Sequence, residues 1–303
     1  MKDHIVLITG GTGGIGKQTA IALARMGAQV VVTGRDSARG EAGVLDIQRA
    51  SGNYNVELLL ADLSTQAGVR SLADQFKRRY PRLDILINNA GLLAQERHIT
   101  ADGLEADFAV NVVAPFLLTH MLLDMLKASA PARVVNVSGG MSIWGKIDLD
   151  NLQAEKSFRG LETYSQTKTV MMALAYEFAR RIEGSGVTIN VGFPGAASTA
   201  MTQALSPSAL PPVMRLTWPV LKSMYMRDDG GKSAAKAAQS SVYLAVSPDV
   251  DGVSGQYFNT SCKPMDWPKD VHDDGLRLKL WELCANIAKV NPGLLPDRAL
   301  TGR

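Results

Sequence analysis

Short apolar runs alternate with longer helix-like stretches from the N-terminus to about residue 260. The runs fall at 5–8, 30–32, 56–60, 85–87, 134–137, 188–191 and 256–258. Several are continuous rather than alternating, as in parallel strands buried on both faces. Ile15, Thr19 and Leu23 mark one face of a first helix, and helical segments follow near 65–80, 101–128, 163–183 and 232–246. This rhythm predicts an α/β fold. It is a single-domain, Rossmann-type, doubly wound parallel sheet of about seven strands with helices on both faces.

The rhythm breaks once, at 196–231, a stretch holding Pro207, Pro211, Pro212 and Pro219 among Met, Leu and Trp. A long, apolar insertion late in such a chain is expected to cover or form a site. The domain is therefore read as 1–265 with this insertion, and 266–303 as a tail of the same domain carrying one amphipathic stretch at 276–287.

Composition narrows the function classes. The chain has 303 residues, 46% hydrophobic and 20% charged, with 32 basic against 29 acidic side chains and a net charge of +3. That balance, with no basic run, gives no case for nucleic acid. No apolar run approaches the length of a membrane span. The first strand begins almost at once, leaving no room for a signal peptide, so a cytoplasmic protein is expected. Cys262 and Cys284 are then free thiols. His4, His98, His120 and His272 are scattered, so no metal site is expected.

Thr9-Gly10-Gly11-Thr12-Gly13-Gly14-Ile15-Gly16 follows the first strand and opens the first helix. Glycines let backbone approach a pyrophosphate, and the helix N-terminus offers unpaired N–H donors. The second strand ends on Thr33-Gly34-Arg35. An NAD site usually has an acid there for the ribose 2′-hydroxyl, whereas a guanidinium suits a 2′-phosphate. NADP(H) is therefore favoured over NAD(H).

Tyr164 and Lys168 stand one turn apart on a predicted helix. An ammonium beside a phenol favours the phenolate and would lower the Tyr164 pKa, fitting it for proton transfer. With the glycine turn, Asn88-Asn89-Ala90-Gly91 and Asn111, this pair makes the chain resemble the short-chain dehydrogenase/reductase family from about residue 4 to 262. Gly145-Lys146-Ile147, Asp150-Asn151-Leu152-Gln153 and Ser254-Gly255-Gln256-Tyr257-Phe258 look most like its retinol dehydrogenase and WW-domain oxidoreductase branch, which acts on long apolar alcohols and aldehydes. The N-terminal membrane segment of that branch's vertebrate members is not found before the first strand.

The resemblance implies roles. Tyr164 would be the proton donor or acceptor at the substrate oxygen. Lys168 would tune it and bind the nicotinamide ribose, and Asn111 would hold a water in a proton path to Lys168. Gly10, Thr12, Gly13, Gly14, Ile15 and Gly16 would hold the pyrophosphate, with Arg35 at the 2′-phosphate. Asp62 and Leu63 would touch the adenine. Asn89, Ala90 and Gly91 would line the nucleotide, and Pro194, Gly195 and Thr199 the nicotinamide side.

One position departs. The family's serine at the end of the fifth strand falls here on Gly139. Ser138 precedes it and should point to the opposite face; Ser142, in the loop, could replace it. Losing one preorganised donor at an oxyanion costs roughly 2.7–4 kcal/mol. Three readings stay open: Ser142 or Ser138 substitutes in an ordinary reductase; the glycine makes room for a bulky substrate with Tyr164 acting alone; or the fold serves non-redox chemistry such as cyclisation, isomerisation or dehydration. A non-catalytic NADP(H)-binding protein is a fourth.

The expected pocket walls are 139–144, 92–95 and 196–231, with Met141 and Trp144 among them, and they imply a bulky hydrophobic substrate. Relatives that pair do so through the helices after the fourth and fifth strands. Met121, Leu122, Met125, Met171, Met172, Leu174 and Phe178 lie there, so a homodimer or homotetramer is the family's expectation.

Overall fold

The computed structural model describes residues 1–139, 145–207, 218 and 229–293. Its sheet runs β3-β2-β1-β4-β5-β6-β7-β8. The strands are β1 Ile5–Ile8, β2 Gln29–Gly34, β3 Val56–Leu60, β4 Ile85–Asn88, β5 Ala132–Val137, β6 Val187–Gly192, β7 Tyr257–Phe258 and β8 Pro264–Met265. All pairs are parallel except the last. About seven strands were expected and eight are found. The eighth is a two-residue antiparallel edge strand opening on Pro264, whose missing donor only an edge tolerates.

Continuous apolar sequence explains the parallel strands. All four residues of β1 and of β4 are buried, because helices cover both faces. On one face α3 (Gln66–Arg79) and α5 (Ala114–Ala128) pack through Leu72, Phe76, Leu117 and Leu122. On the other, α1 (Gly14–Arg25) packs through Leu23 and Ala24, joined by Leu244. Strand order reverses between β1 and β4. Ligands of such sheets bind outside the carboxyl ends at that switch point.

Two helical regions differ from the sequence reading. No helix was singled out between β2 and β3, yet α2 spans Ser37–Ser51. Its buried residues are Gly40, Gly43 and Ile47. A Cβ on Gly40 would lie 2.6 Å from Leu58 Cδ2, and one on Gly43 2.7 Å from the Thr12 carbonyl oxygen. This helix docks through absent side chains and leaves no apolar stripe to read. The expected helix at 101–128 is instead α4 (Ala106–Phe108), a π-helical turn (Ala109–Val113) and α5. Pro115 has no N–H for the Asn111 carbonyl, so the hydrogen-bond ladder is interrupted where the wide turn ends.

Taken whole, Ala106–Ala128 is long and apolar enough to cross a bilayer by length and composition. This corrects the expectation that no stretch approaches that length. Here it is a core helix, with Phe108, Val112, Leu118 and Leu126 buried. The tail helix, expected at 276–287, spans Asp274–Ala288 and lies on α5 and on α6 (Gly160–Arg181). Its Trp281 is fully buried, edge-on to Phe116 and Phe178. Buried Arg277 pairs with Glu177 of α6 at 3.1 Å. Phe178, expected at a pairing face, is thus covered by the chain itself.

Candidate active site

The glycine turn is built by close approach. Gly10 and Gly14 have φ of +63° and +52°, a region that favours glycine. A Cβ on Gly16 would lie 2.4 Å from Asn89 Nδ2 and 2.5 Å from the Gly10 carbonyl oxygen. Asn89 Nδ2 donates to the Thr9 and Gly10 carbonyls at 2.9 and 3.1 Å. Thr9 Oγ1 accepts the Asn89 and Ala90 N–H groups, both at 3.0 Å. Thr9 stitches β1 to β4 and was read only as part of the turn, because its partners lie 80 or so residues away in sequence.

Gly13 is different: a Cβ there meets nothing within 4 Å. It is the N-cap of α1, which has no side-chain cap and no acid in its first turn. By contrast Asp36 caps α2 and Thr65 caps α3. The first N–H groups of α1 are therefore left for an anion, and the turn fits a dinucleotide pyrophosphate. Thr199, N-cap of α7 (Ala200–Gln203), closes over the turn, its Cγ2 3.2 Å from a Cβ built on Gly14. Thr12 and Ile15 flank the glycines, half-buried.

Arg35 is exposed just past β2. Its charge reaches Asp62: burial works against ionisation there, but the Ser64 N–H and hydroxyl bonds and then Arg35 hold the carboxyl below its usual range. Asp62 and buried Leu63 follow β3, and Asp62 is near enough to Arg35 to feel its charge. Pro194 and Gly195 follow β6; Gly195 has φ +70°, and a Cβ there would meet Thr260 Cγ2 at 2.8 Å.

The catalytic candidates converge at Gly91. A Cβ built there would lie 3.3 Å from Lys168 Nζ and 3.4 Å from Asn111 Oδ1. Asn111, on the π-helical turn, grips Leu92 twice, accepting its N–H and donating to its carbonyl, each at 2.8 Å. It also donates to Thr167 Oγ1 at 3.0 Å. Lys168 Nζ donates to the Val137 carbonyl at 3.1 Å and lies 5.9 Å from the centre of the Tyr164 ring.

Tyr164 lies over the end of β5. A Cβ on Gly139 would be 2.4 Å from its hydroxyl oxygen, 2.7 Å from Cε1 and 2.8 Å from Cζ. The family's serine position is therefore filled by the tyrosine. Ser138 does not face Tyr164: its hydroxyl donates to the Gly192 carbonyl at 3.3 Å and approaches the Tyr257 hydroxyl at 3.5 Å. Strand alternation accounts for this. Ser142, Met141 and Trp144 lie outside the described residues, as does most of the proline-rich insertion, Pro211, Pro212 and Pro219 included. Of the insertion's start, Gln95 bridges to the Ala204 carbonyl and the Ser206 N–H, so the expected wall at 92–95 does touch it.

Charge at this site reverses one expectation. Burial pushes the Tyr164 phenol up, and Asp107 adds to it. Burial brings Lys168 down to about 8, with Asp107 acting against that. Asp107 is itself pushed up to about 8, by burial and then by Glu105. Asp107 is wholly buried and accepts the Ala94 N–H at 2.8 Å. In the sequence it reads as a solvated acid of a helix first turn; only the tertiary fold buries it. A tyrosine held as the phenol beside a proton-bearing lysine is set to donate a proton to a carbonyl oxygen.

Comparison with known proteins gives a family match and solved structures of similar fold. The family described as short chain dehydrogenase matches residues 4–209. Human retinol dehydrogenase 14 is 36% identical over 310 residues, covering 97% of this chain and 88% of that protein. Human dehydrogenase/reductase SDR family member 13 is 36% identical, covering 97% and 75%. Among solved structures, an uncharacterized protein from Mycobacterium paratuberculosis superposes with a TM-score of 0.75 at 26% identity, covering 96% of this chain and 95% of that one. The Pseudomonas aeruginosa RhlG/NADP active-site complex superposes with a TM-score of 0.63 at 28% identity, covering 86% and 95%.

Proposed function

Because the chain belongs to the short-chain dehydrogenase/reductase family, we propose that it is an NADP(H)-dependent carbonyl reductase for a bulky, hydrophobic substrate, with Tyr164 as general acid. One observation carries this reading: the Tyr164–Lys168 pair of α6 meets Gly91 and Asn111 beside an uncapped glycine turn. When bound, the nicotinamide supplies the hydride. The protein's part is to orient and to move a proton. The α1 N-terminus, Asn89 and Thr199 would hold the dinucleotide, and Arg35 would serve its 2′-phosphate. Tyr164 gives its phenolic proton to the carbonyl oxygen as charge develops there.

Gly139 supports the reading in which Tyr164 works without a serine. The space of a residue-139 side chain belongs to the Tyr164 ring, so position 139 supplies no second hydroxyl to the substrate oxygen. The similarity to human retinol dehydrogenase 14 supports an apolar alcohol–aldehyde or alcohol–ketone pair. Pairing of copies through α5 and α6 stays a separate proposal, readable by light scattering.

The test is consumption of NADPH with a panel of apolar ketones and aldehydes. Tyr164→Phe should lower kcat by about 10²–10⁴-fold while NADPH binding, read by fluorescence, persists. Product formed without loss of NADPH would favour the non-redox reading, and tight binding with no turnover the non-catalytic one.

A further inference from the structure

Asp107 takes no part in the scheme above, yet its carboxyl is wholly buried at the edge of the site. Its Oδ1 accepts the Ala94 N–H at 2.8 Å. Its Oδ2, also buried, has no hydrogen-bond partner among the described residues. Burying a carboxyl half-satisfied is costly, and a hydrogen bond to one loop amide does not account for a carboxylic acid there rather than an amide or a hydroxyl.

Its neighbours give it a place. Asp107 precedes Asn111 by four residues, about one helical turn, and the two side chains together hold the loop at Leu92 and Ala94. Asn111 in turn reaches Thr167, the residue before Lys168, and Asn111 Oδ1 and Lys168 Nζ both border Gly91. The row Asp107, Asn111, Lys168 thus runs from the loop after β4 to α6.

We propose that Asp107 is a positioning residue of the reaction: its buried carboxyl, hung from the Ala94 N–H about one turn before Asn111, acts on the Lys168–Tyr164 pair from behind the loop after β4. This rests on the reading of Tyr164 and Lys168 as the reacting pair. From α6, Lys168 favours its ionisation and Tyr164 feels its charge. On its own element, Glu105 caps α4 through the Asp107 and Phe108 N–H groups and opposes Asp107 ionisation. Arg97, from the intervening loop, acts on Glu105. A negative Asp107 raises the proton affinity of both Lys168 and Tyr164; a neutral Asp107 leaves them to burial alone.

Asp107→Asn keeps an acceptor for Ala94 and removes the titrating group. Its NADPH-dependent reduction should keep an alkaline limb that is moved about one pH unit toward acid. A purely structural Asp107 would lower the profile without moving its limb. A second readout needs neither cofactor nor substrate: the Lys168 amine, followed by ¹³C NMR of the dimethylated protein, should titrate below about 8 in Asp107→Asn. Should that variant fail to fold, Lys168→Met reads the same coupling in reverse, and the Asp107 carboxyl, followed with labelled aspartate, should titrate higher than in the parent. Unmoved titrations in these variants overturn the proposal. Moved titrations with turnover indifferent to Tyr164→Phe would uphold the coupling and sink only the catalytic reading.

Discussion

Gly13 and Gly139 both follow parallel strands at the carboxyl edge of the sheet, and they use a missing side chain in opposite ways. At Gly13 the space beyond the backbone is open for 4 Å, and the helix behind it is uncapped. At Gly139 the same kind of space is taken by the Tyr164 ring and hydroxyl. The first glycine leaves open space; the second leaves room for the Tyr164 ring. The nucleotide half of the site is therefore built by subtraction around a guest. The half around Tyr164 is built by packing, and the tyrosine is seated against a neighbour that has no side chain.

Restoring the family's serine tests the packed half most severely. Gly139→Ser puts a Cβ into the Tyr164 ring, where atoms cannot stay 2.4 Å apart. Overpacking of this kind costs about 1–3 kcal/mol, and a displaced tyrosine should lower kcat by on the order of 10²-fold. Steady-state kinetics beside thermal melting reads both. A serine variant that turns over faster than the parent breaks the comparison, since Tyr164 would then have room to share.

The buried charges of the same half give a pH signature. The native Asp107 carboxyl keeps its proton up to about 8, whereas the unfolded carboxyl loses it near the ordinary aspartate value. The unfolded chain binds fewer protons in that window, so stability falls as pH rises toward about 8. Native Lys168 gives up its proton at about 8, and the unfolded amine holds it to the ordinary lysine value. Its burial penalty is full below about 8 and fades above. Together the two groups predict a trough near pH 8, with slopes of up to about 1.4 kcal/mol per unit. Asp107→Asn should remove the falling side and leave the recovery. Melting curves of the two proteins that stay parallel from pH 5 to pH 8 would refute the assignment.

The open half predicts a split between binding and folding. Gly13→Ala adds a methyl that meets no protein atom, so stability should change by less than about 1 kcal/mol. The methyl enters the space left for phosphate, and NADPH affinity should fall about tenfold, or 1.4 kcal/mol. Gly16→Ala, three residues on, meets Asn89 and the Gly10 carbonyl and should cost stability first. If Gly13→Ala binds NADPH as the parent does, the space beyond Gly13 is not the phosphate site.

The same contrast governs what the sequence made legible. β1 was read to the residue, because a continuous apolar run between turns marks a buried strand; β3 was read to the residue too, although Glu57 and Leu60 leave it half exposed at the sheet edge. The glycine turn and Arg35 were legible because they stand in local motifs at strand ends. α2 was not, since Gly40 and Gly43 pack by lacking side chains. Gly139 could be seen as a departure but not explained: that Tyr164 occupies its space is a contact between β5 and α6. Asp107 was missed for a related reason. Its role depends on burial by Ala94 and α6, and nothing in Glu-Ala-Asp-Phe distinguishes it from a solvated first turn.

The smallest effect concerns cofactor choice, and exposure is the reason. Arg35 stands in solvent, where an ion pair is worth at most about 1 kcal/mol, a factor of about five. Its charge is also drawn toward Asp62. Arg35→Val alone should therefore weaken NADPH only a few-fold. Gly34→Asp adds an acid where a Cβ would sit 3.3 Å from Thr12 Cγ2, a contact that a small shift of a half-buried threonine relieves. The carboxylate would repel a 2′-phosphate and accept a hydrogen bond from a 2′-hydroxyl. The double variant should then prefer NADH, read as the ratio of the two cofactor affinities. An unchanged ratio would show that preference is set elsewhere in the open half, by groups that touch the phosphate more closely than an exposed guanidinium does.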